Sequence, residues 1–451
     1  MNKRTLCLLA WLWCAPLFAQ DAQEAKPEIP EQTELPPDPA SGPTVEALSD
    51  TELEALGLDA AGPRVDTSLH FWGFADFNSS QTFRPKGAVA VAQGRHQSFY
   101  VGNLNLYFSK NLSESFRTMA EVRLTYLPNG NFTVTPDGYL QTDTSAFDYA
   151  NGQVVTRWGG IIMQRIYLEW TLHRFLSVRG GQYLSPFGVW NVDHGTPVII
   201  PAQRPLALIS NLYPERQTGL EFFGRWNVNN EQTLGYHLTL SNGNGPISEY
   251  KDLDRNKAVG GRLYWEYFGK TYVRSGVSGI YGRDTVSTPA ATISTSTIDL
   301  KDEINAQADS LALAADLLVK RGGLHLQTEW MSLQKRYTTE GRKVHAVLGG
   351  PVAQAASADV FSWAGYVLGG YRTSWYGLMP FATFQAGNLS LANASLPDAR
   401  LGLAGFTTGL NVSPIDSVVF KIEYAYIRVF RGPSIVKYTL NALLFQAAWS
   451  F

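Results

Sequence analysis

Charged side chains of both signs recur at even spacings along stretches whose alternate positions are apolar. Arg117, Glu121 and Arg123 form one such row, Arg165 and Glu169 a second, and Glu221 and Arg225 a third, with Arg179 standing alone between them. Even spacing places these groups on one face of a β-strand. A wall of this kind can align and sort a hydrated or charged solute by its transverse field, and nothing in the spacing points to bond making. Reactive pairings are few. Asp193 and His194 are a candidate acid–base pair, yet no activated-serine motif accompanies them. Asp252, Asp254 and Asn256 begin like a calcium loop, but Lys257 stands in the glycine position and Leu263 in the final glutamate position. His70, His96, His173, His237, His325 and His345 lack metal-ligand spacing, and no Walker-type glycine loop occurs. No cofactor and no metal are expected.

The elements that must position these rows are strands. The alternation predicts sixteen, at 67–78, 97–110, 114–127, 162–172, 174–183, 216–226, 231–242, 257–269, 272–282, 306–320, 322–336, 359–373, 376–388, 399–411, 415–427 and 438–451. In 114–127, Phe116, Ala120, Val122 and Leu124 oppose Arg117, Glu121, Arg123 and Thr125. In 162–172, Ile162, Ile166, Leu168, Trp170 and Leu172 oppose Arg165, Tyr167, Glu169 and Thr171. In 415–427, Val418, Phe420 and Ile422 oppose Lys421 and Glu423. A small soluble barrel fills its interior with apolar side chains, whereas a large membrane barrel keeps a polar, wet lumen. Arg117, Arg123, Arg165, Arg179, Arg225, Arg262 and Arg372 are expected to face inward, interleaved with Glu121, Glu169, Glu221, Glu266 and Glu423.

The connectors alternate in length. Short turns fall at 111–113, 173, 227–230, 270–271, 321, 374–375 and 412–414; long loops fall at 79–96, 128–161, 184–215, 243–256, 283–305, 337–358, 389–398 and 428–437. Short turns at one rim and long loops at the other are the arrangement of outer-membrane barrels. Aromatic residues make up 12% of the chain and charged residues 17%, which suits a wall that meets lipid on one side with aromatic girdles at its edges.

Ahead of the barrel, residues 1–19 read as a secretory signal: Lys3 and Arg4 are followed by the apolar run Leu6 to Trp13, with Ala19 at the cleavage point. Both cysteines, Cys7 and Cys14, lie inside it, so the mature chain has no disulfide and no thiolate chemistry. Residues 20–64 carry eleven acids and two bases and form an acidic, proline-rich periplasmic leader; Ser49 and Glu52 form a capping box for a short helix that Gly57 ends. Residues 65–451 are the barrel domain. Their mildly basic balance, with arginines scattered singly, excludes nucleic acid as a partner. The last strand places Leu443, Phe445, Ala447, Trp449 and Phe451 on one face. A terminal aromatic on such a strand resembles the signal read by the barrel assembly machinery.

The third long loop, 184–215, is apolar and proline-rich, with Val198-Ile199-Ile200 and with Pro197, Pro201, Pro205 and Pro214. An exposed loop of that length would be polar, so this one is expected to fold into the barrel and narrow it, with Arg204, Asp193, Arg165, Glu169 and Arg179 near the narrowest point. The words Gly181-Gln182-Tyr183-Leu184-Ser185-Pro186-Phe187-Gly188 and Pro214-Glu215-Arg216-Gln217-Thr218-Gly219-Leu220-Glu221 look like those of the phosphate-selective porin O/P family, best over 160–226. That resemblance implies a sixteen-stranded barrel, an inward third loop and a homotrimer. Tyr183, Leu184 and Ser185 stand between the anchors with no basic residue, so phosphate selectivity is not carried over.

Together these features predict an outer-membrane porin that lets small hydrophilic solutes or ions diffuse passively, with a weak anion preference. The alternative is a barrel closed by the loop and the leader, with a structural or interaction role. An outer-membrane hydrolase ranks third.

Overall fold

The computed structural model describes residues 66–83, 97–125, 160–192, 195–205, 212–243, 255–294, 297–338, 359–390, 400–431 and 439–451, together with four short strands between 132 and 154. The expected signal, the expected acidic leader and short helix, and most of the long-loop tips lie outside the described residues.

Among the described residues twenty strands follow one another: β1 Leu69–Thr82, β2 Ser98–Asn111, β3 Phe116–Thr125, β4 Phe132–Val134, β5 Leu140–Thr142, β6 Phe147–Asp148, β7 Gln153–Val154, β8 Gly160–His173, β9 Leu176–Leu184, β10 Arg216–Asn229, β11 Gln232–Ser241, β12 Ala258–Phe268, β13 Tyr272–Ser294, β14 Thr297–Arg321, β15 Leu324–Tyr337, β16 Val360–Tyr371, β17 Met379–Ser390, β18 Arg400–Ile415, β19 Val418–Arg431 and β20 Thr439–Ser450. Sixteen of them, β1–β3 and β8–β20, close into one antiparallel barrel in chain order, while β4–β5 and β6–β7 are two small hairpins within the second long loop. Closure is made by β1 against β20, in register from Phe74 opposite Ser450 to Thr82 opposite Ala442. Gly73 and Phe451 exchange both backbone bonds at 2.9 Å, so the final residue completes the ladder.

The faces are inverted relative to a soluble protein. Outward residues such as Phe384 and Leu263 are 66% and 63% exposed, whereas inward Glu121, Glu423 and Lys421 are 0%, 0% and 1% exposed. Apolar side chains on the outer wall lower their free energy only against an apolar surround. Aromatic pairs cluster near the short-turn rim: Phe116 stacks on Trp170 at 5.6 Å and Trp265 on Tyr267 at 6.2 Å.

Three details depart from the expected pattern. The segment 283–305 is not a loop but a hairpin, with β13 and β14 paired from Tyr272 opposite Lys320 to Ser294 opposite Thr297. Its Ser and Thr residues look polar enough for a loop, but its Thr, Val and Ile residues are β-branched and favour strand. Pro289 is accommodated where the register shifts, as proline requires. In β8 the register shifts between Arg165 and Met163, leaving Gln164 as an extra residue. That bulge turns Ile162 to the inner face, opposite Arg123, and gives the outer position to Met163, which is 38% exposed. Arg372 follows β16 in a short turn and is exposed, not on the inner wall.

Candidate functional site: the lumen wall and the inward loop

The connector from β9 to β10 enters the barrel as expected. Its base is tied shut. Ser185 N donates to Glu215 O at 2.8 Å, the Ser185 hydroxyl donates to Pro214 O, and Asn191 Nδ2 donates to Ser185 O at 2.7 Å and Glu215 O at 3.1 Å. Arg204 and Glu215, 3.5 Å apart, join the two arms of the loop. Phe187, Trp190, Ile199, Ile200, Leu212 and Tyr213 are buried, packed against Met331, Leu333, Ala364, Tyr366, Leu368 and Phe381 of the inner wall. The apolar character of the loop is therefore explained by an internal core, and burial raises the Tyr213 phenol above its ordinary value, so it stays neutral.

Polar anchors fix the loop on opposite sides of the lumen. Glu329 on β15 accepts the Trp190 N–H at 2.7 Å and the Tyr366 hydroxyl at 2.5 Å. Gly188, at φ 71°, lies against the same carboxylate, where an added Cβ would collide with Glu329 Oε2. Arg262 on β12 donates to the carbonyls of Pro186 and Gly188 and pairs with Asp316 at 2.7 Å. Across the barrel, Lys421 Nζ donates to Thr196 O at 2.7 Å and Pro201 O at 3.1 Å, and Glu423 accepts the Ala202 N–H at 2.7 Å. Asn411 Nδ2 donates to Ile200 O at 2.7 Å, and the Thr196 hydroxyl donates to Asp76 at 3.2 Å. A buried carboxylate or ammonium is costly unless it is bonded, and for Glu329, Lys421 and Glu423 the partners include loop backbone groups. Nothing in the sequence singles out Glu329, Asp316 or Asp76 for this role, beyond Glu329 and Asp76 each being the lone acid of its strand.

Charged residues of β3, β8, β9 and β10 occupy neighbouring inward positions of the wall. Glu121 accepts Asn105 Nδ2 at 2.7 Å and the Tyr107 hydroxyl at 3.0 Å, and meets Arg165 Nε at 2.8 Å. Arg179 bridges Glu169 and Glu221, at 2.8 Å to each. Glu221 also contacts His237 Nδ1 at 2.7 Å, a partner the sequence did not suggest. Arg123 is buried and donates to Asn103 Oδ1 at 3.1 Å, and Arg117 donates to Ser109 Oγ at 3.2 Å. Arg225 is exposed and borders a cavity of about 280 Å³ shared with Arg165, Arg179, Glu221, Arg262 and Glu266. Neither Arg117 nor Arg225 has an ion pair among the described residues. Asp193 and His194 lie outside the described residues. Among the described residues no three His, Cys, Asp or Glu side chains are grouped as metal ligands would be.

No protein-family model matches the chain, and no curated protein matches its sequence. Among solved structures it is similar to the anion-selective porin from Comamonas acidovorans, with a TM-score of 0.50 at 10% identity over 85% of this chain and 99% of that one. Outer-membrane OmpT of Vibrio cholerae gives 0.49 at 10% identity over 86% and 99%. The outer membrane channel DcaP of Acinetobacter baumannii gives 0.46 at 12% identity over 87% and 100%. The porin O/P family suggested by the loop motifs is not singled out by these likenesses. At such identities the likeness to the Comamonas porin establishes the fold, a closed sixteen-stranded antiparallel barrel of porin type.

Proposed function

We propose that this chain is an outer-membrane porin through which small hydrophilic solutes or ions diffuse passively, and that it is not an enzyme. The observation that carries the reading is a sixteen-stranded barrel whose inner wall holds charges of both signs beside a loop bonded across the lumen. Sixteen strands enclose an aqueous channel rather than a packed core. The apolar outer wall and its aromatic pairs suit a bilayer, with lipid as its surround. Residues 1–19 would direct export, residues 20–64 would stay periplasmic, and the strand ending at Phe451 would be read during assembly. The homotrimer implied by the family resemblance belongs to the same proposal.

Selection would come from the band of Arg117, Glu121, Arg123, Arg165, Glu169, Arg179, Glu221 and Arg225, and a part for the loop residues Asp193, His194 and Arg204 belongs to the same proposal. Most of these charges are compensated, which leaves a field that favours polar over apolar solutes. A weak anion preference would rest on Arg117 and Arg225. A second reading, a barrel closed by its loop and serving as a scaffold, draws support from the apolar core that the loop builds with the wall from β12 to β17. Swelling of proteoliposomes in sugars of increasing size separates the two. Swelling that falls off with solute size supports the pore, and none from folded protein supports the scaffold.

A further inference from the structure

Five neighbouring strands each add one side chain to a continuous stack along the inner wall. The Arg179 guanidinium on β9 lies 4.2 Å from the Tyr167 ring on β8 and 4.7 Å from the Phe223 ring on β10. Phe223 stacks on His237 of β11 at 5.6 Å and 13°, and His237 stacks on Tyr264 of β12 at 5.8 Å and 29°. Gly235 makes room for this. It is directly opposite Tyr264 in register, and a Cβ there would collide with the Tyr264 ring. The stack forms one side of the 280 Å³ cavity, and Leu184, Pro186 and Val192 of the inward loop form another.

The charges around this cavity are unequal in freedom. Arg165 meets Glu121, Arg179 meets Glu169 and Glu221, and Arg262 meets Asp316. Arg274 stands opposite Glu266 in register. Arg225 is different: it is exposed, pairs in register with Gly235, and has no ion pair among the described residues. It is the next inward residue after Phe223 on β10, so an uncompensated guanidinium lies beside the ring stack.

We propose that this corner of the lumen is a subsite for small aromatic carboxylates, with the carboxylate on Arg225 and the ring against Phe223, His237 and Tyr264. A cavity of this size lies near the lower end for small-molecule sites, about 300 Å³, and suits a single ring. The inference rests on the pore reading only in that the solute would meet the subsite in transit. An inorganic anion or acetate could pair with Arg225 but would gain nothing from the rings, and an uncharged aromatic alcohol would lose the guanidinium.

The test is equilibrium binding to the folded full-length protein in detergent, by saturation-transfer NMR with sodium benzoate as the probe. Benzoate is expected to bind with its ring protons saturated. Cyclohexanecarboxylate, equal in charge, is expected to bind about twofold to tenfold more weakly, the range of an aromatic contact. Arg225→Gln should weaken benzoate about fivefold, the upper range for an exposed ion pair. Gly235→Val, which displaces the Tyr264 ring and alters no charge, should weaken benzoate and leave acetate unchanged. Equal binding of the two ring acids, full affinity in Arg225→Gln, or no benzoate binding to the wild type would each overturn the proposal. Binding without any conductance would keep the subsite and remove the pore reading; conductance without benzoate binding would do the reverse.

Discussion

Lys421 is 1% exposed inside the barrel and spends its ammonium on two loop carbonyls, Thr196 O and Pro201 O. Replacing it with methionine keeps the length of the stem and deletes both bonds. Hydrogen bonds to charged groups contribute about 1.5–3 kcal/mol each. Even at the lower end, the seated loop loses about 3 kcal/mol relative to a released one. That corresponds to roughly a 150-fold change in the ratio of the two states. The wall itself is unaffected, because β19 keeps its backbone pairing with β18 and β20. The assay is single-channel recording in a planar bilayer, with folding checked by heat-modifiable migration on a gel. The wild type is expected to give quiet steps. Lys421→Met is expected to flicker between levels and to conduct more on average. A folded variant with wild-type step size and noise would refute the reasoning that these bonds seat the loop.

Gly188→Val combines a side chain at φ 71° with a collision against Glu329. It should unseat the opposite end of the loop and lower the urea concentration at which Trp190 fluorescence changes, with the barrel still heat-modifiable. Arg225→Glu reverses a guanidinium of the cavity that has no ion pair among the described residues, so the cation-to-anion permeability ratio should rise roughly twofold to fivefold at low salt, read as a shift of the zero-current potential. Deleting Phe451 removes the backbone bonds it exchanges with Gly73 and the terminal aromatic. The amount of folded barrel recovered from outer membranes should fall severalfold, while refolding in detergent should be less affected.

Much of the fold is legible in the sequence, for a physical reason. A wall with water on one side and lipid on the other must alternate, so the even spacing of Arg117, Glu121 and Arg123 is enough to assign them to one face. The apolar run around Ile199 and Ile200 belongs in the interior because an exposed loop would not carry it, and both residues are buried. Contact partners are not legible. Trp190 meets Glu329 across 139 residues and Thr196 meets Lys421 across 225; period and spacing are local and say nothing about which strand lies opposite a loop. The bulge at Gln164 escapes a reading by period because one extra residue reverses the faces without any change in composition. The hairpin between β13 and β14 escapes it because serine and threonine serve loops and strands alike.

The central claim is that the lumen conducts. The direct measurement is current through the purified, folded protein in a planar bilayer under a tenfold KCl gradient. Stable stepwise conductance, with a zero-current potential on the anion side, is the result expected. Silence from protein shown to be folded would contradict the pore and leave the loop as a permanent closure.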